Sequence, residues 1–222
     1  MGTLLQELGH DIILLHFIDI ILKRRNKKLF YIVSPAEGPK IDIHFWNPKK
    51  NEYTSAYNIS RPEYPPQLYE RRNYSKDVFD RMDRESSYSK QKWYQELSQH
   101  LGIDLKEFVL EYCNKVEKIT GDLPDIIGFD KNAKETLWAE IKYEGFGTKA
   151  RKAVLKQFEL SRKRGVPFLL VIPKKPLYSR EITNEWINNN LPLEMKVYKF
   201  DIDTQVVLPK KSQIKFIEVV RK

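Results

Sequence analysis

The sequence predicts an α/β fold, because two strand-like runs are followed by an amphipathic helix and then by a continuous apolar run. The two runs, Asp125–Phe129 and Thr136–Ile141, flank a polar turn and predict a hairpin. A helix is expected from Thr148, its N-cap, to Arg164, with Gly165 ending it. Val166–Ile172 is apolar throughout, as is typical of a buried strand. The order strand, strand, helix, strand predicts a sheet covered by helices.

The first part of the chain is predicted to form an α+β extension. Thr3–Lys23 carries apolar residues on more than one side of a helix, which favours either burial within one subunit or packing against a second copy. Leu29–Val33 and Ile41–Trp46 predict a hairpin. Arg61–Ser87 has the polar, Pro-containing composition of a linker or arm. We therefore divide the chain into residues 1–87 and 88–222.

The remaining elements are predicted on either side of the central run. Lys90–Leu101 has helical spacing and ends at Gly102. The period of Leu105–Val116 is ambiguous, because the whole stretch fits a helix and its centre fits a strand. Further edge strands are predicted near the C-terminus, at Met195–Phe200, Gln205–Leu208 and Ile214–Val220.

The positive charge of the chain is concentrated in one stretch. The formal net charge is +9. The stretch from Lys142 to Lys175 contains ten Lys or Arg residues and only two acidic residues, Glu144 and Glu159. A field of this sign attracts polyanions, with phosphate backbones as the commonest target. A solubilising surface would have the same composition, so charge alone leaves both interpretations open.

Cysteine content and hydropathy indicate an intracellular setting. The single Cys113 cannot form an intramolecular disulfide, and no Cys/His spacing typical of zinc is present. The apolar stretch Leu4–Leu22 is interrupted by charged residues and histidines, which excludes a membrane span or a signal peptide as its interpretation. We expect no membrane association and no organic cofactor.

Two carboxylates and a lysine form the candidate chemical site. Asp125 begins one predicted strand, and Glu140 and Lys142 lie two residues apart on the next, so their side chains project to the same face. Carboxylate oxygens are ligands that Mg²⁺ prefers, and Mg²⁺ activates water for attack on phosphorus. Lys142 would orient that water or stabilise charge on the phosphate. A surface ion pair is the alternative interpretation.

The order of these motifs resembles the PD-(D/E)xK nuclease superfamily. The resemblance is carried by Gly121-Asp-Leu-Pro-Asp125, Ala139-Glu-Ile-Lys142, a basic helix and Gly165–Ile172, and it covers roughly Ser89 to Pro176. Archaeal Holliday-junction resolvases are the most similar group, although their glycine-and-basic lead-in is replaced here by Ser86–Lys90. The size and the basic, aromatic composition are also similar to nucleases of archaeal spindle-shaped viruses. The resemblance implies a restriction-endonuclease-like core, a mixed sheet flanked by helices.

The resemblance also implies roles for individual residues. Asp125 and Glu140 become metal ligands for Mg²⁺, with Mn²⁺ as a substitute, and Lys142 becomes the catalytic lysine. Glu96 matches an upstream helical glutamate that supplies an additional ligand, which would make Phe108–Tyr112 the first strand of the sheet. Gln157 matches a glutamine near the site. The predicted nucleic-acid-binding residues, lining the phosphate path into the site, are Lys149, Arg151, Lys152, Lys156, Arg162, Lys163 and Arg164.

The sequence therefore predicts a metal-dependent DNA endonuclease that acts as a homodimer in the cytoplasm, or in the host cytoplasm if the protein is viral. Branched DNA is the substrate that the resolvase resemblance implies, and residues 1–87 would serve dimerisation or DNA contact. A nuclease fold that binds DNA without cutting it, and a nuclease acting on RNA, are the alternatives. The sequence does not distinguish endonuclease from exonuclease, or one metal ion from two.

Overall fold

A computed structural model describes residues 4–22, 30–33, 40–47, 52–60, 92–130, 132–143, 145–176, 180–202 and 214–221. The chain divides into two compact units, one formed by Met1–Lys27 together with Thr136–Lys222, the other by Lys28–Glu135. The predicted arm at 61–87, the boundary at residue 87 and the predicted strand Gln205–Leu208 lie outside the described residues. None of the described helices is long and apolar enough to cross a membrane.

The described helices are α1 (Leu4–Phe17), α2 (Lys92–Leu101), α3 (Leu105–Thr120), α4 (Thr148–Lys163) and α5 (Asn184–Asn190), with α1 continuing into a π-helical turn at Ile18–Leu22. The described strands are β1 (Phe30–Val33), β2 (Lys40–Asn47), β3 (Glu52–Ser60), β4 (Ile126–Phe129), β5 (Glu135–Ile141), β6 (Phe168–Pro173), β7 (Lys196–Ile202) and β8 (Ile214–Glu218).

The unit of Lys28–Glu135 contains an antiparallel sheet in the order β3-β2-β1-β4. The predicted hairpin is confirmed, since Phe30 pairs with Phe45 and Val33 with Asp42. The strand β3 was not predicted, although Tyr53, Tyr57 and Ile59 recur at even spacing along it. A register shift between Ile43 and His44 marks a bulge in the pairing of β2 with β3.

The helix α3 replaces the predicted strand Phe108–Tyr112, and that prediction is wrong. Asp104 caps its N-terminus by accepting a hydrogen bond from the Lys106 amide, and Gly121 ends it with a positive φ of 82°. Buried residues recur at helical spacing, namely Leu105, Val109, Cys113, Val116 and Thr120. Phe108 and Tyr112 instead pack edge-on against Phe129, with ring centroids 5.7 and 5.1 Å away.

The other unit contains a mixed sheet in the order β5-β6-β7-β8. The strands β5, β6 and β7 are parallel, and β8 is antiparallel to β7. The predicted C-terminal strands are found at β7 and β8, but β7 is an interior strand because it pairs on both sides. The chain passes from β5 through α4 to β6, the usual helical crossover between parallel strands.

Helices cover both faces of this mixed sheet. On one face, Phe158 of α4 meets Phe168 of β6 with centroids 6.0 Å apart. On the other, Phe17 of α1 packs edge-on against Tyr198 and Phe216, each at 5.5 Å. The strands β5 and β6 are buried almost along their whole length because each face has a helix above it. An α/β architecture is therefore the fold of this unit.

Two local predictions change on this side of the molecule. Thr148 is not the cap of α4 but its first residue; Gly147 is the cap and makes no side-chain hydrogen bond there. The helix α5 was not predicted, although Thr183 caps it by accepting a hydrogen bond from the Trp186 amide and Glu185 lies in its first turn.

For α1, Ile13, Phe17 and Ile18 are buried within the unit, whereas Leu15 is 48% exposed. The helix thus contributes to the core of this unit.

Candidate active site

Glu140 and Lys142 lie on the same face of β5 and its extension, as their spacing predicts. Their side chains form an ion pair in which Glu140 is 2% and Lys142 is 24% exposed. The Lys142 amide donates to the Val171 carbonyl at 2.8 Å, so the backbone of Lys142 continues the pairing of β5 with β6. The carboxylate is therefore enclosed, and the ammonium group lies between it and solvent.

The helix α4 covers the strand face that carries this ion pair. Trp138 and Glu140 of β5 pair with Phe168 and Leu170 of β6, and paired residues project to one face. The same face meets α4 at two points, because Phe158 contacts Phe168 and the Arg164 guanidinium lies 5.5 Å from the centre of the Trp138 ring. Arg164 therefore marks the side of the helix that lies over β5, and Phe158 the side over β6.

Gln157 lies on the side of α4 that faces Glu140. It precedes Arg164 by seven residues, two helical turns, so the two share one side of the helix roughly 10 Å apart. Glu140 is about 7 Å beyond Trp138 along β5, and Lys142 about 13 Å beyond it. Because Arg164 lies over Trp138, we infer from these ideal rises that Gln157 is near the level of Glu140 and Lys142.

Unpartnered polar atoms accompany Glu140 in this layer. Both amide atoms of Gln157 and the Trp138 indole nitrogen are buried without a hydrogen-bond partner among the described residues. Gln157 is 1% and Trp138 0% exposed. Buried polar groups without a partner destabilise a fold, so the amide of Gln157 and the indole nitrogen of Trp138 are groups that could bind water, an ion or a ligand.

The oxygens of this layer fit a hard divalent cation in chemistry. Glu140 offers a carboxylate, and Gln157 offers an amide oxygen that no described group uses. The set is small, since within the described part of the chain no three His, Cys, Asp or Glu side chains lie close enough together to hold a metal ion. Further oxygens would have to come from other groups or from water.

The other predicted acidic residues belong to the unit of Lys28–Glu135. Asp125 directly precedes β4 and is 4% exposed. The bend leading to it is held by Thr120, whose hydroxyl donates to the Val116 carbonyl at 2.9 Å, and by the Leu123 amide, which donates to Asp122 at 2.9 Å. Glu96 lies exposed on α2. The roles of Asp125 and Glu96 as ligands stay predictions from the sequence motif.

The arginines predicted to bind nucleic acid are engaged with protein groups. Arg151 donates to Asn190 at 2.7 Å and lies over Trp186 of α5. Arg162 pairs with Glu159 at 2.7 Å, and this hydrogen bond raises the pKa of the exposed Arg162 guanidinium. Arg164 lies over Trp138. The contacts of Arg151 and Arg164 join α4 and its C-terminal end to α5 and β5, whereas the Arg162–Glu159 pair lies within α4.

The predicted lysines of α4 are exposed and face away from the sheet. Lys149, Lys152, Lys156 and Lys163 recur at spacings of three, four and seven residues, which places them on one side of the helix. The buried residues Val154, Gln157, Phe158 and Ser161 lie on the opposite side. The four lysines therefore lie on the other side of α4 from Gln157, and their role in lining a phosphate path stays a prediction.

Two aromatic residues beside the candidate site were not identified from the sequence. Trp138 precedes Glu140 by two residues, a spacing that already places both on one strand face. Tyr143 follows Lys142, and its ring stacks on Phe200 with centroids 6.2 Å apart.

No family model, curated protein or solved structure matches this chain.

Proposed function

We propose that this protein is a metal-dependent nuclease that hydrolyses phosphodiester bonds in DNA. The observation that carries the proposal is the enclosed carboxylate of Glu140, paired with Lys142 on a strand face covered by α4, whose buried Gln157 amide has no hydrogen-bond partner among the described residues. Perturbed or unsatisfied polar groups that converge in one layer are typical of functional sites. The proposed core is of the restriction-endonuclease type.

A purely structural ion pair explains the site less well. Removing two charges from water costs several kcal/mol per ion, and a nonpolar pair of similar volume is often as stable. The exposed pair Glu111–Lys115 shows the ordinary arrangement, with side chains 59% and 68% exposed. By contrast, Glu140 is 2% exposed and has an unsatisfied glutamine on the helix above it. Retention of such costly groups is expected where they bind something.

In the proposed site, Glu140 and Gln157 supply oxygens for the cation, Mg²⁺ or Mn²⁺. Asp125 enters the ligand set from the sequence motif, with Glu96 as an additional ligand from the same source. When bound, the cation supplies a water of lowered pKa and neutralises charge on the phosphate. The enclosure of Glu140 keeps competing water away from its carboxylate and strengthens its electrostatic interactions.

Lys142 is the residue we assign to the reacting phosphate. Its ammonium group is the more exposed partner of the ion pair, at 24%, so it can reach both Glu140 and a group arriving from solvent. There it would hold the attacking water by a hydrogen bond or offset the negative charge that develops on the phosphate oxygens. Lysine suits this task as a compact point charge on a flexible stem.

DNA is the substrate that the charge of the chain favours. The formal net charge is +9, concentrated around α4 and its flanking strands. Branched DNA is our preferred substrate because of the resolvase-like order of motifs, and a homodimer would allow both strands to be cut.

The test is cleavage of labelled four-way-junction, linear duplex and single-stranded DNA, and of RNA, in Mg²⁺, Mn²⁺ or EDTA. We expect metal-dependent cutting by the parent protein and none by Glu140→Gln, Asp125→Asn or Lys142→Met. The matched controls are Glu111→Gln and Lys115→Met, which remove the same charges from an exposed ion pair and should cut normally. If the protein binds DNA but cuts it in no metal, the proposed nuclease activity is wrong and the chain is a DNA-binding module without catalysis. If it cuts only RNA, the proposed substrate is wrong.

A further inference from the structure

The outer side of α4 carries four lysines, which we call the lysine row: Lys149, Lys152, Lys156 and Lys163. All four are exposed, and no described residue pairs with any of them. Along the helix they span roughly 21 Å, with successive rises of about 4.5, 6 and 10 Å. The only acidic residue of α4, Glu159, is held by Arg162 at 2.7 Å. The positive field of the row is therefore not neutralised by its own helix.

The lysine row is separate from the candidate active site. At 100° per residue, the centre of the row lies roughly 160° around the helix from the centre of the buried side that carries Gln157 and Phe158. A phosphate bound at Glu140 is on the sheet side of α4, and a phosphate bound by the row is on its solvent side. One nucleotide cannot occupy both positions.

We propose that the lysine row is a second binding surface for the backbone of duplex DNA, distinct from the segment that is cut. The inference rests on the proposed function for its substrate class. A protein that holds DNA on two sides of one helix would engage two segments of a bent or branched molecule. Cutting would then depend on contacts with DNA some distance from the cleaved bond.

The composition of the row favours duplex DNA over other anions. Single-stranded nucleic acid is usually held by aromatic side chains that stack on its bases, and the outward side of α4 has no aromatic residue. An acidic protein partner would need apolar anchors, and the neighbouring apolar side chains are only Ala153 and the half-buried Leu160. Lysines alone suit phosphate contacts, which fix position without reading sequence.

The experiment measures binding of a fluorescent duplex of about three helical turns in EDTA, over a range of KCl concentrations. Because EDTA prevents metal-dependent cutting, binding through the row is tested independently of catalysis. The variant is Lys149→Gln/Lys152→Gln/Lys156→Gln, and the control is Lys118→Gln/Lys196→Gln/Lys215→Gln, which removes three exposed lysines elsewhere. A third variant, with Arg at the three row positions, keeps the charge. Circular dichroism checks that all of them fold.

We expect the Gln variant of the row to bind about tenfold or more weakly and to lose about 2 to 3 units from the slope of log Kd against log salt. The control and the Arg variant should keep the parent slope. Equal slopes for the parent protein and the Gln variant would overturn the proposal, as would a parent protein that binds no duplex. If the Gln variant loses as much affinity for single-stranded DNA as for duplex DNA, the row is not a duplex-binding surface. The same follows if the parent protein binds poly-glutamate as tightly as it binds duplex DNA. If the row binds duplex but no metal supports cutting, the proposed nuclease fails and the binding surface stands.

Discussion

Gly9 of α1 packs directly against the ring of Tyr143, the residue that follows Lys142. A Cβ atom at position 9 would lie 2.7 Å from Cε1 of Tyr143, closer than nonbonded carbon atoms approach. The ring has little room to move because it also stacks on Phe200 at an interplanar angle of 8°. The absence of a side chain at residue 9 therefore sets how closely α1 approaches the end of β5.

Gly9→Ala should destabilise the protein even though alanine favours helices. The intrinsic gain of about 1 kcal/mol in helix propensity is outweighed by an overpacking cost of about 1–3 kcal/mol. Urea unfolding measures the change, and Gly9→Ala/Tyr143→Leu should recover most of it. Gly145→Ala is the control, since the nearest atom to a Cβ there, on Pro176, lies at an ordinary contact distance of 3.8 Å. A Gly9→Ala variant as stable as the parent protein would show that the Tyr143 ring moves aside at little energetic cost.

Lys142→Met should lower the free energy of unfolding by about 2–4 kcal/mol, because it removes the ammonium group that pairs with the enclosed Glu140 carboxylate. Glu140→Gln/Lys142→Met should be more stable than Lys142→Met, since it removes the enclosed negative charge together with the lysine. Denaturant unfolding in EDTA measures both. Lys115→Met, in the exposed pair, should cost about 0.5 kcal/mol or less. Equal costs at the two lysines would mean that Glu140 is solvated rather than enclosed.

Gln157→Met should stabilise the metal-free protein by about 1 kcal/mol, because it removes a buried amide that has no hydrogen-bond partner among the described residues. In saturating Mn²⁺ the difference in melting temperature between Gln157→Met and the parent protein should become smaller or change sign. The parent protein gains stability from a bound ion that Gln157 helps to hold. Thermal melting in EDTA and in Mn²⁺ separates the two effects. The exposed Gln99→Met serves as the control. A Gln157→Met variant that melts earlier in EDTA would indicate a hydrogen-bonded glutamine.

Arg221→Lys should destabilise the end of α5 by about 2–4 kcal/mol. The Arg221 guanidinium donates to four backbone carbonyls, those of Ile187, Leu191, Pro192 and Met195, and to the Asn188 side chain. Burial lowers the pKa of Arg221, with a smaller opposing effect of Glu194. A lysine has three donors and no planar fork, so at least two of these five acceptors lose their partner.

Thermal melting followed by the fluorescence of the tryptophans, which include Trp186 of α5, measures this change. Arg180→Lys, at an exposed position, should leave the melting curve unchanged. A melting temperature of Arg221→Lys within about 1 °C of the parent protein would mean that water replaces these hydrogen bonds, since even 1 kcal/mol corresponds to about 2–4 °C in a chain of this size.

The part of the fold that the sequence predicted best is the run from β4 to β6. Its strands differ clearly in pattern from α4, so the period and length of each element were unambiguous. Phe108–Tyr112 was mistaken for a strand because five residues are too few to separate a helical period from an alternating one. The cap at Asp104 and the glycine at 121, read together, delimit α3 as one helix.

For the candidate site, the spacing of Glu140 and Lys142 was enough to predict that their side chains meet. The alignment of Gln157 with Glu140 depended on which side of α4 lies over β5, and only the contact of Arg164 with Trp138 reveals this. The side of α4 on which the lysine row lies could have been predicted from the sequence, since helical spacing places the four lysines opposite Val154 and Phe158. The charge was recognised, but not the face on which it lies.

The composition of the mixed-sheet unit also constrains how the chain folds during synthesis. Phe17, near the start, packs against Tyr198 and Phe216, near the end. The apolar side of α1 therefore emerges from the ribosome long before its partners exist, while the Lys28–Glu135 unit has every strand of its own sheet available earlier. Such distant partners raise the contact order and slow folding. The apolar side of the N-terminal helix is consequently available for intermolecular contacts until the C-terminal strands have been synthesised.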